Sequence, residues 1–207
     1  MHIGIVNFRK TNEMPEQLIK ALIHLQGEND KHVITMISYE DVKEDVKFIK
    51  ESGITHWIFS GSEKDPRKSD APQVLMKKLM KLNNNKFKFL MICYSMESAL
   101  MQSPFSFKLI KCNKSHKKGN KQVATIQEHN NKNKTNNENN KTLEAWRNHE
   151  FHFDVEQVEE KLVKNFKIIH VLDDMLMTAQ YKNFTFTQWH PEHSNDGMEF
   201  LDDWLHK

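Results

Sequence analysis

Residues 88–101 read KFLMICYSMESALM. The first five residues form a short run rich in Phe, Leu and Ile, the pattern of a buried strand. From Tyr94 on, apolar residues recur every three or four positions, the pattern of a helix packed on one face. Cys93 stands at the join. Three upstream segments resemble the first half of this unit: HIGIV (2–6), HVITMI (32–37) and THWIFS (55–60). Between them lie the amphipathic stretches PEQLIKALIHL (15–25), SYEDVKEDVKFIKESG (38–53) and PQVLMKKLMKL (72–82). In the second stretch Val42, Val46 and Ile49 share one face, Ser38 can cap the start and Gly53 can end it. The other two each open with a proline near the first turn, where its missing N–H costs nothing. Strands alternating with helices at this spacing imply βαβ units. The expected architecture is an α/β three-layer sandwich with a central, mostly parallel sheet.

Downstream the pattern loosens. FSFKLIK (105–111) and KQVATIQEH (121–129) read as strands, followed by the tract NNKNKTNNENNK (130–141). That tract is too polar to bury anything, so a disordered surface loop is expected over about 129–142. FKIIHVLD (166–173), LMTAQYKN (176–183) and FTFTQWH (184–190) resume the strands. DGMEFLDDWLHK (196–207) closes as a helix that buries Met198, Leu201, Trp204 and Leu205. With 207 residues, no internal repeat and no linker, the chain is read as one domain, 1–207.

The bulk numbers exclude several classes. Charged residues are 28% and hydrophobic ones 38%, and the formal net charge is +2, which gives no case for a nucleic acid or membrane partner. The Asn/Lys tract has almost no interleaved aromatics, which weighs against single-strand binding. No apolar run approaches the roughly 18 to 20 residues that span a bilayer. The start MHIGIVNFRK lacks the form of a signal peptide. Cys93 and Cys112 are the two cysteines, and neither belongs to a C-x-x-C pair. A reducing, cytoplasmic setting is expected.

Reactive groups in open α/β sheets gather beyond the carboxyl ends of the strands. Cys93 occupies such an end, where a helix N-terminus favours a thiolate and the Tyr94 N–H can face an oxyanion. In TQWHPEHS (187–194), His190 ends a late strand, and Glu192 lies two residues on across Pro191. His190 is the candidate base, and Glu192 the group that orients it through its second ring nitrogen. His149 and His152, and His190 and His193, are two histidine pairs of the kind that can ligate a metal. Neither pair has H-E-x-x-H spacing, so no metal is expected. Trp146 and Trp189 are read as packing residues near the pocket wall.

MICYSME (91–97) resembles the G-x-C-x-G-x-Q nucleophile motif of class I glutamine amidotransferases, and TQWHPE resembles their Q-[FW]-H-P-E motif. WIFSGSEKDP (57–66) is similar to their strand followed by S-G-G-P, and AWRNHEFHF (145–153) to their W-x-x-H segment. The four occur in the family's order across nearly the whole chain. The resemblance implies a flavodoxin-like fold without metal or organic cofactor, and a Cys93–His190–Glu192 triad that hydrolyses glutamine through a thioester. The oxyanion would lie between the backbone N–H groups of Tyr94 and Ser62. Gly61, Glu97 and His149 would help bind substrate. Ammonia would pass to a separate synthetase, and the glutaminase portion of GMP synthetase is the nearest relative by this resemblance.

The sequence departs from the family pattern at four positions. Met91 and Ser95 replace glycines flanking the cysteine, and Ser62 replaces the second glycine of S-G-G-P. Where that glycine needs a positive φ, serine would resist by about 1 kcal/mol or more. Glu97 replaces a glutamine, and a carboxylate there cannot donate the same hydrogen bonds. It would suit a substrate amino group instead. Two other readings therefore stay open: a hydrolase of other γ-glutamyl compounds on the same scaffold, and a catalytically silent relative that binds a partner or metabolite.

Overall fold

The structure is a computed structural model that describes residues 1–9, 14–27, 31–43, 46–68, 72–82, 85–112, 122–129, 142–161 and 163–207. The polar tract at 130–141 lies outside the described residues.

Strands β1 (His2–Asn7), β2 (Val33–Ser38), β3 (His56–Phe59) and β4 (Lys88–Ile92) form where the apolar runs lie. Helices α1 (Glu16–His24), α4 (Gln73–Leu79) and α5 (Tyr94–Leu100) follow the amphipathic stretches. The expected helix over 38–53 is two short ones, α2 (Tyr39–Val42) and α3 (Lys47–Glu51). Ser38 caps the first, its hydroxyl accepting the Glu40 N–H at 3.2 Å. Val42, Val46 and Ile49 are still all buried, so the core-facing stripe survives the break.

β11 (Phe184–Thr187) inserts beside β4 as the fifth parallel strand, giving the order β2-β1-β3-β4-β11. The sheet then continues antiparallel through β10 (Met175–Tyr181), β9 (Phe166–Leu172), β6 (Gln122–Glu128) and β7 (Thr142–Arg147). The fold is α/β with a large, mostly parallel central sheet, as expected.

The strand expected over 105–111 is shorter than its sequence suggests. FSFKLIK supplies only β5 (Ile110–Lys111), which pairs with β8 (Phe151–His152) in a small separate sheet. Phe105 and Phe107 are buried not as strand residues but as a coil whose rings pack on Phe166. β7, β8 and helix α6 (Val155–Glu160) had no clear periodic signal, because they are short and half-polar.

Alternation along each central strand splits the core into two layers. Ile3, Ile5, Ile58, Leu90 and Ile92 face α1 and the last helix, α7 (Asn195–His206), meeting Leu18, Leu22, Leu201 and Leu205. Val6, Trp57, Phe59, Phe89 and Met91 face the other way, onto Leu75, Met76, Leu79, Met96 and Leu100 of α4 and α5. Two covered faces require two apolar faces, which is why these strands read as continuous hydrophobic runs.

Candidate active site

The carboxyl ends of β1, β3, β4 and β11 converge on one cavity of about 210 Å³. Cys93, Gly61, Ser62, Glu97, His149 and His190 all line it. The sequence-predicted residues from four separate motifs are thus brought together. Arg9, beyond β1, also lines it and was not singled out in the sequence, since a lone arginine in a loop carries no pattern.

Cys93 sits on the tight turn between β4 and α5 with φ 50° and ψ −107°, a conformation an L-residue holds at a cost on the order of 1–3 kcal/mol. Its N–H donates to the Thr187 carbonyl at 2.7 Å, and its carbonyl accepts from Glu97 at 2.9 Å. The turn is therefore pinned from strand and helix at once. Ser95 occupies one of the family's glycine positions without strain. Its buried hydroxyl lies 2.7 Å from the Phe59 carbonyl and 3.0 Å from that of Ile92, tying α5 to the end of β3. Met91 fits because its side chain points into the core layer away from Cys93, among Phe59 and Phe186. Ser62 does not take a positive φ. Its hydroxyl donates to the Phe8 carbonyl at 3.3 Å and accepts the Lys64 N–H at 3.3 Å.

His190 follows β11, its N–H donating to the Trp146 carbonyl at 2.8 Å. The ring packs edge-on against Trp146, with centroids 5.2 Å apart. Nδ1 lies 3.0 Å from Oε1 of the buried Glu192, which leaves Nε2 for the cavity. Burial pushes the Glu192 carboxyl up, but the charge and N–H of His190 outweigh it, so Glu192 stays below the ordinary range. Gly61 is the spacer. A Cβ there would lie 2.8 Å from Cε1 of His190, and 3.5 Å from both Nε2 of His190 and Cβ of Cys93. The cysteine and the imidazole thus face each other across a position only glycine leaves open. The same logic holds behind the site, where a Cβ on Gly197 of α7 would meet the Pro191 oxygen at 2.1 Å.

Two expectations about charge are overturned. The Cys93 thiol is not depressed. Burial first, then Glu97 and Glu192, hold it well above its ordinary value against the Tyr94 N–H and the Gln188 amide. A seven-residue helix offers little dipole against that burial. Glu97 is not an ordinary carboxylate either. Burial raises it to about 8, so at neutral pH it is mostly the neutral acid. Gln188, unnoticed in the sequence beyond its place in the motif, donates to Glu97 Oε1 at 2.9 Å and approaches the Cys93 sulfur at 3.8 Å.

His149 is buried, and its Nδ1 lies 2.7 Å from the Phe151 carbonyl, an arrangement in which the ring donates. Burial lowers it to about 3, so the ring is neutral and its Nε2 is an acceptor. Cys112 lies 3.5 Å from Nδ1 of His149 and 3.4 Å from Nδ1 of His152, and burial raises its thiol to about 11. Because Nδ1 of His149 is already committed to a carbonyl, that trio is poorly set for a metal. Among the described residues the one grouping of three or more whose potential ligand atoms lie within 4.8 Å of each other is His190, Glu192 and His193, which contains the His190–Glu192 pair of the candidate triad. Trp189 is fully buried and donates to Thr178 at 3.0 Å, while Trp146 backs His190 and His193.

A thiol that can lose its proton to an adjacent imidazole, a carboxylate behind that imidazole and an N–H at the helix start suit acyl transfer by way of a thioester. The comparisons agree at the level of family. A sequence model described as glutamine amidotransferase class-I matches residues 13–207. The chain therefore belongs to the class I glutamine amidotransferases. No curated protein matches it. Among solved structures, PurLQS from Thermotoga maritima is similar with a TM-score of 0.65 at 13% identity, over 99% of this chain and 97% of that one. A glutamine amidotransferase from the same organism gives 0.61 at 11% identity, over 99% and 82%. At such identities the likeness carries the fold.

Proposed function

We propose that this protein hydrolyses the side-chain amide of glutamine and delivers ammonia to a separate synthetase. The observation that supports this most is Cys93 held at positive φ across Gly61 from a His190 that Glu192 orients. Cys93 gives its proton to Nε2 of His190 and attacks the amide carbon. The oxyanion develops toward the N–H groups of Tyr94 and Ser62. His190 then protonates the departing nitrogen, ammonia leaves, and water activated by His190 releases glutamate from the thioester. Glu192 holds the tautomer throughout. Gly61, Glu97 and His149 shape the substrate end of the cavity. No metal or organic cofactor takes part.

The C-Y and W-x-x-H segments favour a synthetase that aminates a nucleotide precursor, as in GMP synthetase, within the cytoplasm. Among the described residues no helix is long and apolar enough to cross a membrane.

The test is labelling by a diazo-ketone analogue of glutamine, read by intact mass and peptide mapping. Stoichiometric modification of Cys93, suppressed by free glutamine and abolished in Cys93→Ser, is the expected result. A folded protein that takes no label would sink this reading.

A second reading has its own observation. Arg9 and Lys64 line both the catalytic cavity and an adjoining one of about 290 Å³ that includes Phe8 and Tyr39. A γ-glutamyl conjugate with an anionic leaving group would fill both. Faster turnover of such a conjugate than of glutamine would favour it. A catalytically silent relative would leave Cys93 no more reactive than an ordinary thiol.

A further inference from the structure

Glu97 is a buried carboxyl that lines the substrate end of the cavity but has no part in the proton transfers described above. It is 3% exposed, on the first turn of α5, one helical turn from Cys93. Among the described residues no lysine, arginine or histidine forms an ion pair with it. Its charged surroundings are hostile. Asp65, beyond β3, and Glu150, before β8, are acidic and raise Glu97 further, and each has a cation of its own: Arg67 pairs with Asp65 at 2.7 Å and Lys111 with Glu150 at 3.2 Å. The thiols of Cys93 and Cys112 are also near it, with Arg147 by Cys112 and with His190 and Glu192 beyond Cys93, and Arg9, Glu63, Lys64 and the neutral His149 line the same cavity. The partner it does have is Gln188, whose amide N–H reaches both Glu97 Oε1 at 2.9 Å and the Cys93 sulfur at 3.8 Å. The other face of that amide, its oxygen, is buried and makes no hydrogen bond to the described residues. A side chain that leaves its own oxygen unsatisfied to aim its N–H groups at an acid and a thiol is fixed by those two contacts.

We propose that Glu97 works as an un-ionised carboxylic acid, oriented by Gln188, and that this neutral acid is a positioning residue that sets when Cys93 can ionise. Oε1 accepts from Gln188, so the proton resides on the other oxygen, of the carboxyl that lines the cavity. In this form the acid mimics an amide: one oxygen accepts and the other position donates. Once the carboxyl ionises, a negative charge stands beside the nascent thiolate and opposes it. The amide of Gln188 has the reverse effect, since its N–H favours a thiolate within reach. The inference rests on the reading of Cys93 as the nucleophile, and needs no assumption about glutamine.

The experiment is the pH dependence of Cys93 alkylation by iodoacetamide, followed on the Cys93 peptide, in the wild-type protein, Glu97→Gln and Gln188→Met. Each is checked for folding by circular dichroism. Iodoacetamide needs no glutamine pocket, so a protein that refuses the glutamine analogue still answers this question. In Glu97→Gln the half-maximal pH is expected to fall by about 1 pH unit or more, because the like charge is gone. In Gln188→Met it is expected to rise. Profiles that superimpose on the wild type, or that move together in one direction, overturn the proposal. A merely structural role for the pair would change folding without moving the two profiles in opposite senses.

Discussion

At the scale of the residue, the site depends on one missing side chain as much as on those present. In Gly61→Ala the new Cβ must displace His190, because 2.8 Å to Cε1 is closer than carbon atoms rest. The expected result is a folded protein with labelling of Cys93 by the glutamine analogue slowed about 100-fold, since a shift on the order of 1 Å in a reacting group costs that much. Stopped labelling curves at several reagent concentrations would measure it, and an unchanged rate would mean His190 is not the base. Glu192→Gln tests the relay behind it. The amide cannot hold the imidazole in the same tautomer or balance its charge, so the rate should fall on the order of 10²–10⁴-fold. Cys93, His190 and Glu192 could be read from the sequence because their spacing to strand ends is short and local. Gln188 and Arg9 could not, since what matters in each is an alignment with residues on strands and loops far away in the sequence.

At the scale of the element, α7 is the buttress of the His190–Glu192 turn. Ser194 caps it, its hydroxyl accepting the Gly197 N–H at 3.1 Å and donating to the Glu144 carbonyl of β7 at 2.8 Å. Ser194→Ala removes both bonds and is expected to lower stability by about 1 kcal/mol. A urea midpoint that does not move would show the cap to be replaced by water. The elbow between β4 and α5 is the counterpart on the nucleophile's side. Its strain is offset by the bonds of Cys93 to Thr187 and of Ser95 to β3, so Ser95→Gly is expected to destabilise the fold rather than restore a better turn. The long amphipathic segment at 38–53 shows where element-level reading fails. Periodicity identifies the face, which stays buried, but not whether the backbone runs through unbroken.

At the scale of the whole molecule, Glu97 is set against His149 and the half-buried His56 in how stability responds to pH. Glu97 is raised from an ordinary 4.5 to about 8, so its contribution is fully present below 4.5 and is lost as pH rises toward 8. His149 is lowered from 6.5 to about 3, so its contribution is present above 6.5 and is lost as pH falls below that. His56, lowered from 6.5 to about 4 by burial, acts in the same sense as His149, so between 4.5 and 6.5 the histidines oppose Glu97. Between 6.5 and 8 the histidines count for less with each step of pH and Glu97 dominates, so stability should fall, by at most about 1.4 kcal/mol per pH unit. Urea unfolding at pH 6.5, 7.25 and 8 would measure this, with Glu97→Gln expected to be flat over the same range. A wild-type protein as stable at 8 as at 6.5 would contradict the neutral acid.

Sequence alone determined the central architecture, because strands covered on both faces must be apolar throughout and the helices covering them must carry a stripe. It also marked the family and the three candidate residues Cys93, His190 and Glu192, whose local motifs are compact. Only the tertiary structure decided the rest. The place of β11 between β4 and β10 is set by long-range pairing, not by any local period. The tolerance of Met91 and Ser95 follows from which core layer and which carbonyls they meet. The ionisation of Cys93 and Glu97 was misjudged from sequence for the same reason. A pKa is a property of how much water and which charges surround a group, and folding alone brings Gln188, Asp65 and Glu150 to that place.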